Sequence, residues 1–135
     1  TDYTTAGFHP ALVRRLWAGA GIGPGDVDVA QVYENFTGPA VASMIDHGLS
    51  PGGPAAGDFL TLANLTVETG ELPINTAGGN IAEGFVHGIG LVIEAVRQIR
   101  GGSPNPVDSA DISLLIGGPM APLVSSTVFG SPAAV

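Results

Sequence analysis

Residues 75–88 read NTAGGNIAEGFVHG, a run of small residues that leads straight into an expected helix. A loop of this build can offer backbone N–H groups at a helix start, where the helix dipole favours negative charge. That would suit an anion or a reacting carbonyl oxygen held by Gly78, Gly79 and Asn80. The alternative is a tight strand-to-helix turn in which the glycines serve backbone shape alone. Asn75 either orients the loop or donates to a ligand. His87 follows Glu83 by four residues, so on one helix the two share a face, as a base with its orienter or as a packed pair. Upstream, the valine-rich VDVAQVYENF ends on Tyr33. A phenol can shuttle a proton, but in water it titrates only near pH ~10, so it needs help from a neighbouring donor. Glu34 beside it would oppose a phenolate. The plainer reading has Tyr33 packing at a strand end with its hydroxyl in water.

Composition closes off much other chemistry. The 135 residues contain no cysteine, which removes thiol nucleophiles, disulfides and cysteine-based metal centres. The only cations are the four arginines, paired as Arg14/Arg15 and Arg97/Arg100, so a lysine Schiff base is excluded on this chain. A net charge of -8 repels polyanions and argues against nucleic acid. His9 and His47 fall near expected helix ends and read as surface residues, and three scattered histidines make no metal site. Arg97 and Arg100 face the dipole of a helix C-terminus, with phosphate binding as the lesser alternative. No apolar run is long enough to span a membrane, and a cytoplasmic protein is expected.

These residues need a scaffold, and the pattern supplies one. FHPALVRRLWAGA (8–20) predicts a helix with Pro10 in its first turn and Leu12, Leu16 and Ala20 along one side. A strand follows to about Tyr33, then a helix capped by Thr37 through Asp46. Residues 48–58 read as a structureless connection, and LPIN as a short strand. Asn80 and Glu83 have the spacing of a capping box for one long helix, Ile81–Arg100, ended by Gly101-Gly102. Its apolar residues surround it almost completely, so it is expected to be buried. DISLLIGG and LVSSTVFG read as two strands joined through GPMAP. The alternation predicts one layered α/β domain over 1–135, with a mixed sheet and a buried central helix.

Three of these segments together resemble the C-terminal half of a thiolase-fold enzyme. DVDVAQVYENFTGPA is similar to the strand and turn that usually contain NEAF. LPINTAGGNIAEGFVHG resembles the N-x-x-G-G … G-H-P-x-G loop and helix, and ISLLIGGPM the closing C-x-G-G-G strand. The resemblance implies a thiolase-like half of a longer two-half chain, a matching N-terminal half as partner, and a homodimer. The thiolase catalytic groups are replaced: Tyr33 stands for the asparagine, Phe85 for the histidine and Leu115 for the cysteine. Claisen condensation is therefore not expected.

The spelling YENFTGP … NTAGGNIAEGFVHG … EAVRQIRG is most similar to the lipid-transfer-protein branch, related to the thiolase part of sterol carrier protein x. That likeness implies an aldolase of steroid side-chain degradation, working with a zinc-ribbon/OB-fold partner. The reaction implied is retro-aldol cleavage of a β-hydroxyacyl-CoA, with the coenzyme A thioester as substrate and no cofactor on this chain. It implies Tyr33 as a catalytic residue and Phe85 as the position of a second family tyrosine, replaced here. Asn75, Gly78, Gly79, Asn80 and Gly118 are implied to bind substrate. A catalytically silent acyl-CoA-binding or scaffolding subunit is the alternative, and an acetyl-CoA C-acyltransferase a further one.

Overall fold

The computed structural model describes residues 5–134. Three strands form the sheet, in the order β1 (Val29–Val32), β2 (Ile112–Gly117), β3 (Ser125–Gly130). β1 and β2 run parallel, with Ala30 opposite Leu114, while β2 and β3 form an antiparallel hairpin with Leu114 opposite Val128. The sheet is mixed, as the alternating pattern predicts. LPIN shrinks to a single parallel bridge between Ile74 and Ala30.

Successive residues of a strand point to opposite faces, and the two faces differ in chemistry. Ala30, Val32, Leu114 and Ile116 join Phe8, Val13, Met44 and Leu72 in the apolar core, beneath α1 (Pro10–Ala20) and α2 (Thr37–Asp46). Gln31 and Ser113, fully buried, belong to the other face, against which α6 (Ile89–Ile99) packs. Helices on both sides of a mixed sheet make this a layered α/β domain.

Caps set the helix limits. The His9 ring accepts from the Ala11 amide at 3.2 Å, Pro10 opens α1, and left-handed Gly21 closes it. Val13 is the residue of α1 that is buried; Leu12, which shares a side with Leu16 and Ala20, is half exposed. Thr37 does not cap α2: Phe36 occupies that position without a side-chain bond, and Asn35 folds back onto the Phe36 amide. The connection after α2 is not structureless, since it contains α3 (Ala55–Phe59), with α4 (Leu62–Leu65) close behind.

The largest departure is the long helix. It is broken into α5 (Gly79–Ala82) and α6, with Glu83 extended and both His87 and Gly88 left-handed. Gly84 and Gly88 each weaken a helix by about 1 kcal/mol relative to alanine, and the expected capping box does not form. Gly78 caps α5, while Asn80 turns to Glu34. Nor is the helix buried all round. Leu91, Glu94, Ala95 and Gln98 form its one buried stripe, and Ile81, Phe85, Val86, Ile89 and Ile93 are exposed. The apolar circumference is real, but among the described residues only the sheet side has a cover. Arg100 caps α6, and the Gly102 amide returns to the Arg97 carbonyl, so the double glycine ends the helix as predicted.

His47 is not a surface residue. Its ring lies edge-on to Phe8 at 4.5 Å, with Nδ1 at 2.7 Å from the Ser43 carbonyl and Nε2 at 2.7 Å from Ser126 Oγ. A carbonyl only accepts, so Nδ1 carries the proton and Nε2 receives the Ser126 hydroxyl. Burial holds the imidazole below its ordinary value of 6.5, outweighing the Ser43 carbonyl and Asp46, which act the other way. The unfolded chain therefore binds this proton first as pH falls. Stability is complete above the ordinary value and declines below it, towards the lower value of the folded state. Urea midpoints measured between about pH 8 and about pH 5.5 should fall with acidification. In His47→Asn, which cannot titrate there, the fall should be shallower; an unchanged slope would remove His47 as its cause.

Candidate active site

Tyr33 directly follows β1, and its amide makes a last ladder bond to the Ile116 carbonyl at 2.9 Å. The backbone is thus fixed where the ring leaves the sheet. By alternation the ring emerges on the α6 side, where it meets the start of that helix. A Cβ on Gly88 would lie 2.7 Å and 2.8 Å from the ring carbons Cδ2 and Cε2. Only glycine lets helix and phenol approach this closely.

The segment 75–80 grips the chain on either side of this tyrosine. Asn75 uses both side-chain ends on Val32: its Oδ1 accepts from the Val32 amide at 2.7 Å, and its Nδ2 donates to the Val32 carbonyl at 3.0 Å. Of the two roles read from the sequence, the side chain is engaged in orienting the loop. On the other side, the Glu34 carboxylate accepts from the Asn80 amide and from Asn80 Nδ2. Glu34 therefore faces the loop, and the amide foreseen for a ligand oxygen already has a carboxylate partner. A Cβ at Gly79, itself left-handed, would run into that carboxylate, with Glu34 Cδ at 2.8 Å.

A buried polar cluster fastens the same loop to α6. Glu94 Oε1 accepts from Thr76 Oγ1 at 2.6 Å, from Ser103 Oγ at 2.6 Å and from Gln98 Nε2 at 2.9 Å. Gln31 on β1 joins through Thr76 at 3.1 Å. Strand, loop and helix are held as one unit, which is what a reacting group needs from its support.

Between the start of α6 and the end of β2 lies a cleft of about 360 Å³, lined by Tyr33, His87, Gly88, Leu91, Leu115 and Gly118 among others. Tyr33, Leu115 and Gly118, which are far apart in sequence, thus share one wall. Phe85 stands beside it, its ring edge-on to Tyr33 with centroids 6.3 Å apart. Asn75 and Gly78 do not line this cleft; they border a separate depression with Thr76 and Asn105. Gly79 and Asn80 are engaged with Glu34. The helix break lies between the two groups, since α5 ends at Ala82 and α6 begins only at Ile89. Sequence reasoning missed Glu34 as the loop's anchor and His87 as a cleft residue. The Gly84 and Gly88 pair was the available signal for the break that places His87 there.

Residues 1–129 match the thiolase C-terminal domain-like family. A 17-hydroxy-3-oxo-4-pregnene-20-carboxyl-CoA lyase of Mycobacterium tuberculosis is 38% identical over 109 residues, covering 81% of this chain and 28% of that protein. A steroid side-chain-cleaving aldolase of Thermomonospora curvata is 35% identical over 105 residues, covering 77% of this chain and 26% of that one. Among solved structures, an Ltp2-ChsH2(DUF35) aldolase superposes with a TM-score of 0.80 at 30% identity, over 90% of this chain and 31% of its own. The chain therefore spans between a quarter and a third of the length of these relatives.

Proposed function

This chain belongs to the thiolase C-terminal domain-like family, and from that premise we propose that it is the C-terminal part of a retro-aldolase. The substrate is a β-hydroxyacyl-CoA with a steroid-type acyl group, and the products are a ketone and a shortened acyl-CoA. The observation that carries this reading is a phenol, Tyr33, on the wall of an open cleft, with the chain on both sides of it clamped by Asn75 and Asn80. Similarity to a named CoA lyase and a named side-chain-cleaving aldolase supports the reaction class.

Retro-aldol cleavage moves one proton and breaks one bond. The β-hydroxyl gives up its proton and the electrons of the Cα–Cβ bond pass to the thioester carbonyl. The β-carbon leaves as a ketone, and the enolate is protonated at Cα. Tyr33 carries one of the two proton transfers. Leu115 and Phe85 offer no acid, base or nucleophile, which disfavours the acyltransferase reading. The exposed apolar residues along α5 and α6 fit a larger assembly. We assign them to contact with the N-terminal thiolase-like half, in a cytoplasmic homodimer that works with a zinc-ribbon/OB-fold partner. No helix among the described residues is long and apolar enough to cross a membrane.

The test is ketone release from a β-hydroxyacyl-CoA by the complete enzyme with its partner. Release establishes the aldolase. Acyl-CoA binding without cleavage would instead establish the silent subunit, the reading that Phe85 favours by lacking a hydroxyl.

A further inference from the structure

Two side chains on the cleft wall carry acid–base groups, Tyr33 and His87. On a continuous helix His87 would share a face with Glu83; the break between α5 and α6 places it on the cleft wall instead. Its own backbone is left-handed at φ 49°, Gly88 follows at φ 81°, and this double turn puts His87 on the wall of the cleft beside the start of α6. Histidine is among the few non-glycine residues that enter the left-handed region with any frequency. Phe85 stands next to both groups, 5.2 Å from the His87 ring and 6.3 Å from Tyr33, centroid to centroid. An apolar ring at that place props the other two without joining the proton transfer.

We propose that His87 is the second acid–base group of the cleavage reaction, supplying what the residue at position 85 cannot. This rests on the aldolase reading above. The two groups bring complementary chemistry. A neutral imidazole can accept a proton near neutral pH, while a phenol still has one to give. His87 removes the β-hydroxyl proton, the Cα–Cβ bond breaks, and the ketone departs. The thioester enolate then takes the Tyr33 phenolic proton at Cα. Return of the imidazolium proton to the phenolate resets the site. One proton has moved from oxygen to carbon, and no oxidant or metal enters the balance.

The experiment uses the complete enzyme with its partner and a β-hydroxyacyl-CoA. His87→Gly and His87→Asn both suit a left-handed backbone, so each keeps the turn while removing the imidazole. The expected result is a fall in kcat of on the order of a hundredfold with KM nearly unchanged. Added free imidazole should restore part of the kcat of His87→Gly, which a purely structural role would not allow. A folded His87→Asn enzyme within about threefold of wild type, on a scale where general base catalysis is worth at least a hundredfold, would overturn the assignment. So would a loss of activity that imidazole leaves untouched in His87→Gly. If wild type itself releases no ketone, the aldolase reading fails and this inference falls with it. Cleavage by wild type, with His87 variants equally active, defeats the inference alone.

Discussion

Tyr33→Phe is expected to lower ketone release by the complete enzyme about a hundredfold or more, the usual scale of one acid–base group. The substitution keeps the ring, and with it the contact to Gly88 and the edge of Phe85. The backbone bond from residue 33 to Ile116 is also untouched. Stability should therefore move by no more than about 1 kcal/mol, the net worth of one hydrogen bond. Loss of turnover at nearly constant melting temperature is the signature of a chemical role. Equal rates for wild type and Tyr33→Phe would make Tyr33 a packing residue. Phe85→Tyr is the companion measurement, since it returns a phenol to the place where the family resemblance implies one.

Gly88→Ala should be almost as damaging, though Gly88 carries no group that could react. The new methyl would overlap the Tyr33 ring, and a φ of 81° is unfavourable for any residue with a Cβ. The left-handed backbone alone costs roughly 1–2 kcal/mol. Relief must come from moving the ring or the first turn of α6, and a displacement of about 1 Å can cost around a hundredfold in rate. Both the melting temperature and kcat should drop. The same change in a Tyr33→Phe background separates cause from coincidence. With no phenol left to misplace, the further loss in rate should be small while the loss in stability stays the same. A full, additive rate loss in the double variant would mean that Gly88 acts on something other than Tyr33.

What could be read from the sequence follows from how local each cause is. β1, β2 and β3 announce themselves through valine-rich or alternating runs bounded by glycine and proline, and the stop of α6 through Gly101-Gly102. The stretch 81–88 misled because apolar periodicity ran through it while Gly84 and Gly88 undercut the helix. A competitor from outside the stretch is Glu34, more than forty residues away, which takes the Asn80 amide that a capping box would have used. His47 misled for a similar reason: its partners Phe8, Trp17 and Ser126 come from other elements, and a histidine at a helix end looks solvated without them. In the site, Tyr33 and the glycines were visible as types, but their division between a cleft and a clamp depends on that helix break. His87 entered the cleft by the same route.

The unequal chemistry of the two sheet faces bears on how such a sequence can drift. Beneath α1 and α2, one aliphatic side chain can replace another with little loss, because volume-conserving exchanges usually cost under about 1.5 kcal/mol. Substitutions there can accumulate one at a time. Beneath α6, Glu94 serves Thr76, Gln98 and Ser103 at once. Truncating Glu94 removes the acceptor these three donors share, at about 1–3 kcal/mol for each buried group left alone. A single step on that face is therefore penalised even when the end point, a wholly apolar layer, would be stable. The polar face is epistatic and resists gradual change. Because Thr76 belongs to the loop that grips the chain on either side of Tyr33, the end of the domain that carries the proposed site is tied to the slowly varying side of its own sheet.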